Sequence, residues 1–130
     1  MKTYMADTHS LLWAFTRLEK LGSHARTAFA EVANGEAFLF IPVIAIAELI
    51  FTVENKPVRV NLAEILNQIQ SSPNIGFVDL DLQTVLQLRE LTEIPEMHDR
   101  MIVATAIKHN ATLITVDESI TKSKLVKVVW

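Results

Sequence analysis

Short apolar runs alternate along this chain with stretches in which apolar residues recur at helical spacing. Residues 3–6 predict a strand that ends at Asp7, and Leu11, Leu12, Trp13 and Phe15 follow among good helix formers. A second helix is predicted with Ser23 as its N-cap and Asn34-Gly35 as its stop. Residues 38–41 predict the next strand. Pro42 stands at the first turn of a helix over 43–53, whose apolar residues occupy every face, so it is expected to be largely buried with Glu48 in its middle.

Residues 55–60 predict a connection, 61–70 an amphipathic helix carrying Leu62, Ile65, Leu66 and Ile69, and 71–74 a loop. A strand over 75–80 leads to Asp81, the predicted N-cap of a helix through Leu91, and Pro95 closes that unit. His98 and Asp99 open a helix running to His109-Asn110. Residues 112–116 then form a strand ending at Asp117, and 126–130 an edge strand. Strands alternating with helices predict an α/β fold, a mostly parallel sheet with helices on both faces. In such sheets ligands bind beyond the carboxyl ends of the strands.

A length of 130 residues suits one domain spanning the chain, and half the residues are hydrophobic, with only three glycines and four prolines. That composition excludes a disordered or loop-rich scaffold. The absence of cysteine removes disulfides, thiolate catalysis and cysteine zinc sites, and it suits a reducing, cytoplasmic setting. The longest apolar stretch, residues 38–51, is broken by Pro42 and Glu48 and falls short of the roughly 20 residues that span a bilayer. The first residues lack the layout of a signal peptide, so no membrane association is expected. A net charge of −3 gives no general affinity for nucleic acid, so any such contact must be local or metal-mediated.

The candidate chemistry lies in four acids, Asp7, Glu48, Asp99 and Asp117. Singly, Asp7 and Asp99 read as helix caps, Asp117 as a turn residue and Glu48 as half of an ion pair. Together, four carboxylates converging without a cation would repel one another strongly, and a bound metal resolves the conflict. Oxygen ligands without cysteine or an H-E-x-x-H pair favour a hard ion, Mg²⁺ or Mn²⁺, over zinc. Such an ion implies phosphoryl chemistry, with a metal-bound water as nucleophile and a carboxylate free to orient it.

The segments YMADTHSLLWAF around Asp7, IPVIAIAEL around Glu48, HDRMIVATAIKHNATLITVD from Asp99 to Asp117, and the terminal VW resemble the PIN-domain nucleases, and within them the VapC-type toxins of toxin–antitoxin systems. The resemblance implies a three-layer α/β/α sandwich and a ribonuclease whose four matching acids form the metal site. Asp7 and Asp99 rank first as ligands, with Glu48 and Asp117 completing the site directly or through water. Thr115 matches the family's hydroxyl residue beside the last acid. The resemblance also implies a homodimer and a cognate antitoxin that closes the acidic pocket, laying a helix into an apolar groove and reaching the acids with a basic side chain.

Arg100 could contact substrate phosphate or serve as counter-charge to the acids, and Lys122, Lys124 and Lys127 could form a phosphate track near Asp117 or a solvated basic face. His9, in the DTH variant of the first motif, is left outside the metal site. Two other readings compete with the ribonuclease. A non-catalytic PIN-like module would use the acids to bind a protein. A haloacid-dehalogenase-type phosphatase would need a second Asp two residues after Asp7, where this chain has His9.

Overall fold

Five strands and seven α-helices follow one another in the computed structural model, which describes residues 1–56 and 59–130. In chain order they are β1 (Lys2–Ala6), α1 (Thr8–Thr16), α2 (Ser23–Ala33), β2 (Ala37–Pro42), α3 (Val43–Asn55), α4 (Leu62–Ser71), β3 (Ile75–Val78), α5 (Leu82–Leu86), α6 (Met97–Lys108), β4 (Thr112–Ile114), α7 (Glu118–Ser123) and β5 (Val128–Val129). The sheet order is β3-β2-β1-β4-β5 and every pairing is parallel.

Alternation along the strands divides the interior into two layers. Tyr4 and Ala6 of β1, Leu39 and Ile41 of β2 and Ile114 of β4 pack with Leu11 of α1, Ala28 of α2, Leu49 of α3 and Ile69 of α4. Their neighbours Met5 and Leu113 point the other way, into a core built from Ile102, Val103 and Ala106 of α6 and Ile120 of α7. Strands covered on both faces carry continuous apolar runs, which is why they read clearly in the sequence. The result is the three-layer α/β/α arrangement with a parallel sheet.

The central strand β1 is flanked by β2 on one side and β4 on the other. The strand order therefore changes direction between β1 and β4, and at such a switch point the loops leaving the carboxyl ends part and open a crevice. Asp7 follows β1 directly, its N–H donating to the Ile114 carbonyl of β4 at 3.4 Å.

Several elements depart from the sequence reading. Gly22, not Ser23, occupies the N-cap of α2, and its carbonyl accepts from Arg26. The third strand stops at Val78, and the helix after Asp81 tightens into a 3-10 turn at Gln87–Glu90; another such turn covers Leu18–Lys20. Asn55 belongs to α3, and of the connection expected over 55–60, Pro57 and Val58 lie outside the described residues. Helix α7 was not anticipated, because six residues with one buried apolar side chain, Ile120, carry no periodic signal.

The largest difference concerns α3, which is not largely buried. Ala45 and Leu49 are enclosed where it packs between α1 and α6, whereas Ala47, Ile50 and Phe51 face outward, Phe51 with 67% of its surface exposed. A helix apolar all round has either protein or a partner against every face.

Candidate active site

Each of the four acids is half-buried. Asp7 is the N-cap of α1, its Oδ1 accepting the Ser10 N–H at 2.9 Å. The Ser10 hydroxyl donates to the Asp7 carbonyl as well, so the turn from β1 into α1 is fixed from both sides. Asp117 caps α7 in the same way, accepting from Ile120 N–H at 3.0 Å and from the Ser119 hydroxyl at 2.6 Å. The fully buried Thr115 takes the Asp117 N–H on its Oγ1 at 3.1 Å, which sets the chain's direction as it leaves β4.

Glu48 sits in the second turn of α3, and its Oε1 accepts a 2.7 Å hydrogen bond from Thr8, a buried residue of α1. No Lys or Arg forms an ion pair with Glu48, or with any of the other three acids, among the described residues. The compensation for its partial burial is thus a neutral hydroxyl, and the ion-pair reading of Glu48 has no partner here.

Asp99 lies in the first turn of α6, where the helix dipole favours its charge. Its pKa is nevertheless pushed up to about 6, by burial first and then by the charges of Asp117, Glu96, Glu48 and Asp7. The dipole loses to desolvation and like-charge repulsion. That result also places Asp7, Glu48 and Asp117, which come from distant stretches of chain, within electrostatic reach of Asp99.

Glu96 was not identified from the sequence. It is the N-cap of α6, accepting the Asp99 N–H on Oε2 at 2.8 Å and meeting His98 Nδ1 with Oε1 at 2.6 Å. Burial tends to raise its pKa, but the His98 ring and the N–H groups of Asp99 and His98 outweigh that and lower it. The His98 pKa is raised, chiefly by its hydrogen bond to Glu96. An acid three residues before Asp99 at a helix start was the available signal. Thr8 was also missed, since its partner lies on another helix.

None of the remaining candidates pairs with the four acids among the described residues. The Arg100 guanidinium donates to the carbonyls of Ile94 at 2.5 Å and Leu88 at 3.4 Å, tying α6 to the segment before it. His9 is exposed and lies against Trp13, with ring centroids 5.6 Å apart. Lys122 is exposed in the last turn of α7, and Lys124 caps that helix at the end away from Asp117.

Among the described residues, no three His, Asp or Glu side chains stand close enough to grip an ion together. An ion that touches one or two carboxylates and keeps most of its waters needs no such cage. The donor atoms are all oxygen, and the repulsion at Asp99 is what a cation would relieve, so the residues present fit a hard divalent metal.

The PIN domain family model matches residues 4–124, a span that contains all four acids. The chain belongs to the PIN-domain family. Solved structures agree on the fold of this PIN domain at low sequence identity. It is similar to VapBC2 from Rickettsia felis, solved with a DNA fragment from its promoter, with TM-score 0.74 and 19% identity over 98% of this chain and 97% of that one. A DNA-bound VapBC from Salmonella typhimurium gives 0.68 and 19% over 99% and 98%. A toxin–antitoxin complex from Klebsiella pneumoniae gives 0.67 and 18% over 98% and 96%. No curated protein sequence matches the chain. No helix of the described residues is long and apolar enough to cross a membrane.

Proposed function

We propose that this PIN domain, a single unit over residues 1–130, is a Mg²⁺- or Mn²⁺-dependent ribonuclease acting in the cytoplasm as the toxin of a toxin–antitoxin pair. The observation that carries the reading is the negative field that Asp7, Glu48 and Asp117 exert on Asp99 at the sheet's switch point, with no Lys or Arg in an ion pair with any of the four among the described residues. A divalent ion bound there would lower the pKa of a bound water and offset charge on the scissile phosphate.

The chain's own residues supply placement. Asp7 and Asp99 are the leading ligands; the Asp7 carboxylate is anchored by the Ser10 N–H and costs little reorganisation when an ion arrives, whereas at Asp99 the main chain is fixed, its N–H donating to Glu96. Thr8 holds Glu48 toward α1, and Thr115 fixes the turn that carries Asp117. A carboxylate left free of the ion is positioned to accept a proton from the attacking water.

Incubation of the purified protein with total RNA, with and without Mg²⁺ or Mn²⁺ and beside an Asp7→Asn variant, tests the reading. Cleavage that needs the metal and disappears in the variant is the expected result. Cleavage indifferent to both would assign the activity elsewhere, and an RNA pool left intact would favour the non-catalytic binding module.

Two surfaces support partners. The outward face of α3, with Ile50 and Phe51, suits a second copy of the chain, and light scattering is expected to give a dimer that Phe51→Asp converts to a monomer. A monodisperse monomer of the unaltered protein would end that proposal. A separate apolar groove of about 760 Å³, lined by Phe15, Leu18, Phe29, Ala30 and Ile75, suits the helix of an antitoxin. The VapBC and toxin–antitoxin assemblies among the similar structures support the same reading.

A further inference from the structure

At the amino ends of β1 and β4, on the far side of the sheet from the acids, lies a cleft of about 820 Å³ whose lining includes Thr3, Asn110, Thr112, Thr121, Lys124 and Lys127 and no acidic residue. Lys2 also borders it but is held by Glu31 at 2.9 Å. Lys124 and Lys127 are exposed and form no ion pair among the described residues. In a chain of net charge −3, these two cations beside the Thr112 hydroxyl and the Asn110 amide make a local exception.

The backbone adds an independent sign. Only two non-glycine residues among those described have a left-handed backbone, Asn110 at φ 50° and Lys124 at φ 58°, and both line this cleft. Lys124 stands just past the end of α7, where glycine would fit with less strain. A lysine at a position that favours glycine points to a use for its side chain.

We propose that this cleft binds the phosphodiester backbone of single-stranded RNA through Lys124 and Lys127, as a second contact for the strand cut at the acids; the proposal rests on the ribonuclease reading. Helix α7 joins the two places, with Asp117 capping its start and Lys124 its end, a rise of about 10 Å. The Thr112 hydroxyl and the Asn110 amide, grouped with two lysine point charges, match phosphate oxygens, whereas the Thr3 and Thr121 hydroxyls donate to the Asn110 and Asp117 carbonyls. The exposed Lys122 lies on the helix between them and continues the path.

The test is fluorescence anisotropy of a labelled, mixed-sequence 15-nucleotide RNA in EDTA over a series of KCl concentrations, with the intact chain, Lys124→Gly, Lys127→Gln and the double variant. Each lysine removed is expected to weaken binding about 3- to 10-fold at low salt and to flatten the log–log salt slope by about 0.7. Lys124→Gly relieves the left-handed lysine, so it is expected to melt no lower than the intact chain while binding RNA less well, a combination that a purely structural role cannot produce. Variants that bind as the intact chain does, absence of RNA binding in EDTA, or lysine-dependent capture of a poly-glutamate peptide in place of RNA would each overturn the proposal. Because the assay needs no cleavage, lysine-dependent binding by a protein that cuts nothing would uphold the cleft and sink the nuclease. Undiminished binding by variants of an active enzyme would do the reverse.

Discussion

Asp99→Asn is expected to abolish metal-dependent RNA cleavage, by on the order of 10² to 10⁴, while making the metal-free protein more stable. Both effects come from one carboxylate. On the proposed reading its charge holds the ion, and without an ion that half-buried charge is opposed by those of Asp117, Glu96, Glu48 and Asp7. The folded-state pKa of about 6 lies above the ordinary 3.8, so the fold favours the protonated form. The stability associated with Asp99 is therefore fully present below about pH 4 and is lost as pH rises through 6. A shift of that size, reduced for the solvent screening of a group still partly in water, corresponds to about 1–2 kcal/mol at pH 7.

Denaturant unfolding of the intact chain and the variant in EDTA, at pH 4.5 and pH 7.5, isolates this contribution. The variant's advantage should be large at pH 7.5 and small at pH 4.5, although carboxylates with lowered pKa values, such as Glu31, push overall stability the other way. Added Mg²⁺ should then stabilise the intact chain more than the variant. A variant less stable than its parent at pH 7.5 would show that the acids do not oppose one another as described.

Gly22→Ala is expected to cost about 1–3 kcal/mol of folding stability. A Cβ at this position would lie 2.5 Å from the Trp130 carbonyl carbon and 2.9 Å from its oxygen, backbone atoms that cannot simply rotate aside. The same carbonyl accepts the His24 N–H at 2.9 Å, and the Trp130 ring meets Trp13 edge-on at 5.8 Å. Displacing Trp130 would loosen the short edge strand β5 and the start of α2 together. Thermal unfolding measures the loss. Trp130→Ala and the double variant complete a cycle in which the two changes should be less than additive, since both release the same contact. Full additivity would mean that the close approach is absorbed elsewhere.

The strands and the acids at their ends were legible because each rests on a local signal. Both-face burial gives β2 an unbroken apolar run and β1 and β4 shorter apolar stretches, and the acid after such a stretch reads as a cap at Asp7 and as a turn residue at Asp117, both over the crevice. Glu48 was legible as a charge inside an apolar helix. What was not legible depends on contacts between elements. Thr8 gains its role from Glu48 on a different helix, and Glu96 reads as an ordinary cap until Asp99 is seen among the other acids. Helix α3 misled because an apolar face looks the same in sequence whether the chain's own core or another molecule covers it. Lys124 looked close to Asp117 along the chain, but α7 carries it to the opposite end of the sheet.

The position of β1 also governs when the site can exist. Its first partner, β2, is synthesised soon after it, but its second, β4, arrives almost a full chain length later, with Tyr4 meeting Thr112. Closing that separation is slow and cannot begin until the late strand has left the ribosome. Asp7 waits beside an open edge for that whole interval, and Asp117 is added last. A nascent chain of this protein therefore carries three of the four carboxylates before the sheet edge that brings the fourth to their end of the fold has formed.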